Sequence, residues 1–206
     1  MSEIKLTKQS LRSEQLKLAQ LEHYLPTLQL KKSLLQSEVG EARQEILRLT
    51  ELFDNARLQL SAVGSLFSQS IGFPFESLAK VSHINKEYEN IAGVDVPIFK
   101  DVQFDSFAYS LFTTPAWIDS ATRLVRQLVE AKVRISVAEE KLAALENELR
   151  EVTIRVNLFE KNLIPKALAN IRKIKVFLGD QELAAVGQAK VAKKKIQERK
   201  EAHRAY

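Results

Sequence analysis

The sequence predicts a mainly α protein: two long antiparallel helices forming a coiled coil, joined by a small β-hairpin-containing connector. Three observations carry that expectation. A heptad array fills the N-terminal third and a second fills much of the C-terminal half. Between them the pattern changes to strand-like alternation, and Phe67 to Trp117 holds ten of the fifteen aromatics. The expected divisions are 1–72 for the first helix, 73–114 for the connector, and 115–206 for the second helix with a basic tip.

The first array starts at Ile4 and steps by seven through Leu11, Leu18, Leu25, Lys32, Val39, Ile46, Phe53, Leu60 and Phe67. Its companion runs Thr7, Glu14, Leu21, Leu28, Leu35, Ala42, Leu49, Ala56, Val63 and Ser70. Sixteen of these twenty positions are apolar, sustained well beyond the three or four heptads that mark a coiled coil. Pro26, Gly40 and Gly64 weaken the helix locally. "IGFPF" predicts its end, with Gly72 suited to a left-handed cap and Pro74 unable to continue.

In the connector, Val94, Val96 and Ile98 alternate, as do Phe107, Tyr109 and Leu111, with the period of a strand. Asn90 to Gly93 predicts the turn, and Pro97 predicts an edge strand. The second helix is expected to open at "TTPAWID": Thr114 as cap, Pro115 at the first helical position, and Asp119 near the positive helix end.

The second array is unbroken: Ala121, Leu124, Leu128, Ala131, Ile135, Ala138, Leu142, Leu145, Leu149, Val152, Val156, Phe159, Leu163. It then continues as Ala167, Ile171, Ile174 and Leu178. Two successive steps of four form a stutter, which locally unwinds a left-handed supercoil. Pro165 falls at the stutter, about 200° round from Leu163 and so off the seam. A continuous helix bent around its partner is predicted there, the alternative being a break with Asn162 capping a new helix. Helices of roughly 70 and 85 residues would be rods of about 105 and 127 Å. With Phe67 beside Ala121, Ile4 falls opposite a residue near 185.

The chain has 206 residues and no cysteine, so disulfides, thiol chemistry and cysteine-based zinc sites are excluded. No apolar run reaches the roughly 18–20 residues that span a bilayer, and "MSEIKLTKQS" lacks a signal-peptide core. A soluble, cytoplasmic protein without direct membrane insertion is expected. The net charge of +5 is concentrated: residues 187–206 hold seven Lys/Arg against two Asp/Glu, leaving 24 of each sign elsewhere.

Catalysis is not expected. His23 and His203 are isolated, and His83 has no metal-ligand or nucleophile partner nearby in sequence. Glu139 and Glu140 lie off the seam and read as solvated helix face. The six glycines are scattered singly, so no phosphate-cradling loop is present. No catalytic residue, metal ligand or cofactor is assigned. The basic segment "KVAKKKIQERK" lacks interleaved aromatics for base stacking, so a solvated or protein-facing end is favoured over nucleic acid.

"RVNLFEKNLIPKALANIRKIKVFL" resembles the signature of the D subunits of V-type and A-type rotary ATPases: Arg155, Val156, Asn157, Glu160, Ile164, Pro165, Ile171 and Ile174. "NIAGVDVP" is similar to that family's hairpin at Gly93, Val94, Val96 and Pro97. "LTKQSL" and "LQLKKSLL" are similar to its N-terminal segments. The chain departs from the family pattern at Leu158–Phe159, where Ala-Leu is usual, in "LGDQELAAVGQAK" before the terminal lysines, and in a thinner Lys/Arg cluster near Lys31.

The resemblance implies a non-catalytic central rotor shaft, peripheral to the membrane through its complex. Its paired terminal helices would enter a hexamer of A and B subunits, with Lys190, Lys193, Lys194, Lys195, Arg199 and Lys200 forming a hexamer-facing tip. The connector end would bind the F subunit and the membrane-side coupling subunit of the ion-carrying ring. Two alternatives are a prefoldin-like chaperone subunit and a basic-tipped coiled-coil tether.

Overall fold

In the computed structural model, residues 5–62, 64, 78–106, 115 and 117–204 are described, with side chains through 200. The elements are α1 (Lys8–Ala62), β1 (Val81–Ile91), β2 (Val94–Phe104), α2 (Ile118–Leu158), a π-helical turn (Phe159–Leu163) and α3 (Ile164–Arg204). The predicted architecture is what is found: long helices with one two-stranded antiparallel hairpin between them in sequence. The expected stop at Gly72–Pro74, the Thr114 cap, and the alternation at Phe107, Tyr109 and Leu111 lie outside the described residues.

Helix α1 starts where Thr7 can serve it. The Ser10 N–H donates to Thr7 Oγ1 at 3.2 Å, satisfying one of the donors that a helix start leaves open. Helix α2 starts three residues later than Pro115 suggested. The Pro115 carbonyl accepts from Ile118 N–H at 3.1 Å, so the proline sits in the entry turn and Ile118, 1% exposed, is the first helical residue.

The chain forms two compact units, Met1–Gln29 with Ile154–Tyr206 and Leu30–Thr153. In the first, Lys8 pairs with Glu182 at 3.6 Å, Glu14 with Asn170 at 3.0 Å, and Gln29 with Glu160 at 2.5 Å. Position rises on one helix as it falls on the other, which is antiparallel pairing. Val156, Ala167, Ile171 and Ile174 are buried, and Leu11, Leu18, Leu21, Leu25 and Leu28 are half-buried. The predicted seam therefore packs in this unit.

The π turn answers the Pro165 question. Ile164 N–H donates to the carbonyl of Phe159, five residues back. A proline inside a helix drives its ring toward the carbonyl four residues earlier, here that of Lys161. Widening the preceding turn makes room for the ring, and helical backbone continues through it. Asn162 lies within the π turn, so no new helix starts there. Pro165 is exposed, on the side away from the seam as its spacing predicts.

In the second unit the cross-helix contacts include Lys31–Glu148 at 2.6 Å, Arg43–Glu146 at 2.6 Å and Glu45–Lys141 at 3.1 Å. They are again antiparallel. Leu35, Val39 and Ala42 of α1 are buried, as are Ile135, Ala138, Leu145 and Val152 of α2, all at predicted seam positions. The hairpin closes through Ala92 and Gly93, at φ 51° and 81°. Two successive positive φ values are those of a type I′ turn. Asn90 supports it by accepting from Gly93 N–H at 3.0 Å and donating to Asp95 at 2.7 Å.

Pro97 is paired with Tyr88. Counting from the closing pair Ile91–Val94, hydrogen-bonded and non-hydrogen-bonded pairs alternate. Tyr88–Pro97 is then a non-hydrogen-bonded pair, and the proline nitrogen faces the open edge of β2. The residue costs the ladder nothing and blocks that edge to further strands.

Candidate interaction surfaces

The hairpin is held on α2 by a row of cations. At its base Arg126 donates to the carbonyl of Leu78 at 3.0 Å and to that of Asp105 at 3.3 Å. The same guanidinium lies 5.2 Å from the centre of the Phe104 ring. Further along, Arg134 covers Phe99 at 5.1 Å and Lys86 pairs with Glu140 at 2.5 Å. Val96, at 0% exposure, and Pro97 supply the buried apolar part of the strand. Val137 is off the heptad seam yet 3% exposed. It lies within a turn of Arg134 and Glu140, the two α2 residues that touch Phe99 and Lys86 of the hairpin.

At the tip, a Cβ placed on Gly93 would meet the Lys31 ammonium at 3.6 Å. Lys31 is itself bonded to Glu148 at 2.6 Å. One side chain of α1 therefore joins the hairpin tip to α2. Outside this junction, Glu38, Glu41, Glu45, Arg48 and Lys141 line a groove of about 580 Å³. Gln44 and Leu49 complete its lining, and the Glu45–Lys141 pair lies on its wall. Among the described residues, no group of three or more His, Cys, Asp or Glu could hold a metal ion.

The resemblance residues divide by burial. Val156 (3% exposed), Ile171 (8%), Ile174 (0%) and Val96 (0%) are packing positions. Pro97 is buried as well, and Asn157, Ile164 and Val94 are half-buried. Arg155, Glu160, Pro165 and Gly93 complete the set: the first three are exposed and Gly93 sits at the hairpin tip. Glu160 accepts from Gln29, so its carboxylate is committed across the helix pair. Lys190, Lys193, Lys194, Lys195, Arg199 and Lys200 are all exposed on α3, where Lys194 pairs loosely with Glu198 at 3.8 Å.

The family profile for the ATP synthase D subunit matches residues 10–194. The chain belongs to the family of ATP synthase D subunits. It is similar to the V-type ATP synthase D subunit of Chlamydia felis, 48% identical over 203 residues, covering 97% of each chain. The V-type ATP synthase D subunit of Chlamydia trachomatis serovar L2 is 47% identical over 201 residues, with 97% of this chain and 99% of that one aligned. For the corresponding protein of Chlamydia abortus the identity is 46% over 201 residues. Membership in the family thus rests on nearly the whole length, including hairpin and Ile-Pro segment. Among the described residues, no helix is long and apolar enough to cross a membrane.

Sequence reasoning noted Lys31 only as part of the "LQLKKSLL" resemblance, without this role, and missed Arg126 and Arg134. None lies on a heptad seam, and their role depends on where the hairpin is laid. The only advance signal for Arg126 was its place near the start of α2, close to the connector.

Proposed function

We propose that this chain is the central rotor shaft of a V/A-type ATPase or ATP synthase. It is itself non-catalytic, and it couples nucleotide turnover in a catalytic hexamer of A and B subunits to ion translocation by rotating. The antiparallel terminal helices enter the hexamer. The connector end holds the F subunit and the membrane-side coupling subunit, which keeps the chain peripheral to the membrane on its cytoplasmic side.

One observation carries the orientation. Among the described residues, the outermost contact between α1 and α3 is Lys8–Glu182, and every side chain from 181 to 200 is exposed. That stretch includes Leu183 at 73%, Val186 at 54%, Val191 at 58% and Ile196 at 57%. Steps of three, five and five residues spread these side chains round the helix, and a helix that is apolar on several sides suits a surface that encloses it. The interspersed Lys190, Lys193, Lys194, Lys195, Arg199 and Lys200 suit a bore with carboxylates on its wall. Exposed Pro165, with its π turn, supplies an asymmetry that presents different sides of the shaft to successive catalytic interfaces as it turns.

The test uses the absence of native cysteine. A Lys195→Cys variant assembled with A, B and F subunits is crosslinked through its single thiol. Crosslinks to both A and B support insertion of this end. A fully assembled complex with no crosslink to either overturns the orientation.

A further inference from the structure

We propose that the level of Pro26 and Pro165 is a built-in yielding point, where both helices of the antiparallel pair loosen together. Pro26 lies inside α1 and Pro165 is the second residue of α3. In the sequence of cross-helix contacts both fall in the same interval. Pro26 lies between Glu14 and Gln29, and Pro165 lies between their partners Asn170 and Glu160. Neither proline has an amide hydrogen, so the carbonyls of Glu22 and Lys161 lose their α-helical donors within one short stretch of the pair.

Two further features coincide with that level. The π turn Phe159–Leu163 replaces α-helical bonding immediately before Pro165, and such turns recur at places where helices adapt. The core also thins. Between Val156 and Ala167 no side chain is fully buried, whereas Ala167, Ile171 and Ile174 beyond it are. Local opening is easiest where backbone bonds are missing and few apolar contacts hold the segment. Both prolines are exposed, so the seam remains apolar while the outer backbone is released. Twist applied along this pair therefore concentrates here. Its use under torque rests on the rotor reading; the softness itself does not.

The test is amide hydrogen exchange on the full chain, wild type against Pro26→Ala and Pro165→Ala, with helicity checked by circular dichroism. Segments 22–30 and 158–166 are expected to exchange at least about tenfold faster than 35–42 and 171–178. Pro26→Ala is expected to slow exchange severalfold in 158–166 as well as in 22–30, and Pro165→Ala to do the reverse. Uniform exchange overturns the proposal, and so does a Pro26→Ala effect confined to α1. Because the chain is measured alone, a failure of the rotor reading would leave this result standing.

Discussion

Asn170 donates from its side-chain amide to a Glu14 carboxylate oxygen at 3.0 Å, joining α3 to α1. Glu14 occupies a heptad position that an apolar residue would ordinarily take. It is tolerated because Asn170 and Lys17, the latter at 3.0 Å, satisfy it. The Asn170 bond is the main cause that holds the Glu14 carboxyl below its ordinary value, with Lys17 adding to it and burial opposing. A polar pair inside a seam fixes register, since any slip strands both groups without partners. Asn170→Ala should cost about 1 kcal/mol, measured by denaturant unfolding.

The same bond sets a pH dependence. A carboxylate whose folded pKa is depressed stabilises the fold above its unfolded value, here 4.5. That contribution is lost as pH falls through the folded value. Asp105, lowered by bonds from Lys80 and Ser82, acts with the same sign. Thermal stability should therefore fall as pH drops below about 4.5. Glu14→Gln keeps an acceptor for Asn170 but cannot titrate, so its profile should be flatter. An identical slope in wild type and variant would refute the assignment.

The hairpin turn carries a correctable strain. Ala92 adopts φ 51°, a left-handed conformation that side chains with a Cβ disfavour. Ala92→Gly should stabilise by about 0.5–1 kcal/mol, the relief of strain exceeding the entropy cost of glycine. Gly93→Ala should destabilise by about 1–2 kcal/mol. The space near Lys31 admits a methyl group, so the backbone decides the cost. Exchange protection along β1 and β2 reads both effects.

Arg126 ties the hairpin base through two carbonyls and one ring. Arg126→Ala leaves both acceptors short of a donor and should cost about 2–3 kcal/mol. Arg126→Lys should recover little of it, because an ammonium cannot supply the planar fork that reaches both oxygens. The loss should appear as faster exchange in the hairpin, with helix content unchanged.

How much of this was legible beforehand follows from which forces act at short sequence range. The seam was legible because heptad spacing is itself the geometry of burial: Leu35, Val39, Ile135, Leu145 and Ile174 are all where the period puts them. The turn at Gly93 was legible from local backbone chemistry. Val137 was not, because it lies off the heptad seam, within a turn of the residues that meet a hairpin distant in sequence. Nor was the π turn, since a stutter and a proline announce a disturbance without choosing between a bend and an inserted residue. The late start of α2 reflects a proline that serves equally well one turn ahead of a helix.

Replacing Pro165 with alanine restores an amide that can donate to the Lys161 carbonyl and removes the ring that required a wider turn. The π turn should then revert to α geometry, visible in a solved structure of the variant. Helix stability should rise, by up to about 3 kcal/mol if no compensating strain appears. If the asymmetry at this point is used in rotation, coupling of ATP hydrolysis to ion movement in the assembled complex should fall even though the chain is more stable. Unchanged coupling alongside a turn restored to α geometry would remove the mechanical role while leaving the packing account intact.

Leu145 and Leu183 are the same side chain in opposite circumstances. Leu145 is 0% exposed and Leu183 is 73% exposed. Leu145→Ala should destabilise the chain by about 2–5 kcal/mol, from lost transfer energy and the cavity left in the seam. Leu183→Ala removes a side chain that touches little in the isolated chain, so its unfolding should stay within about 0.5 kcal/mol of wild type. Inside a hexamer bore the order reverses for assembly. Leu183→Ala together with Ile196→Ala should weaken capture of the chain by A and B subunits, measured by co-purification at limiting concentration. Full-strength assembly of that double variant would mean these apolar side chains meet no surface there, and the exposed end of α3 would need another explanation.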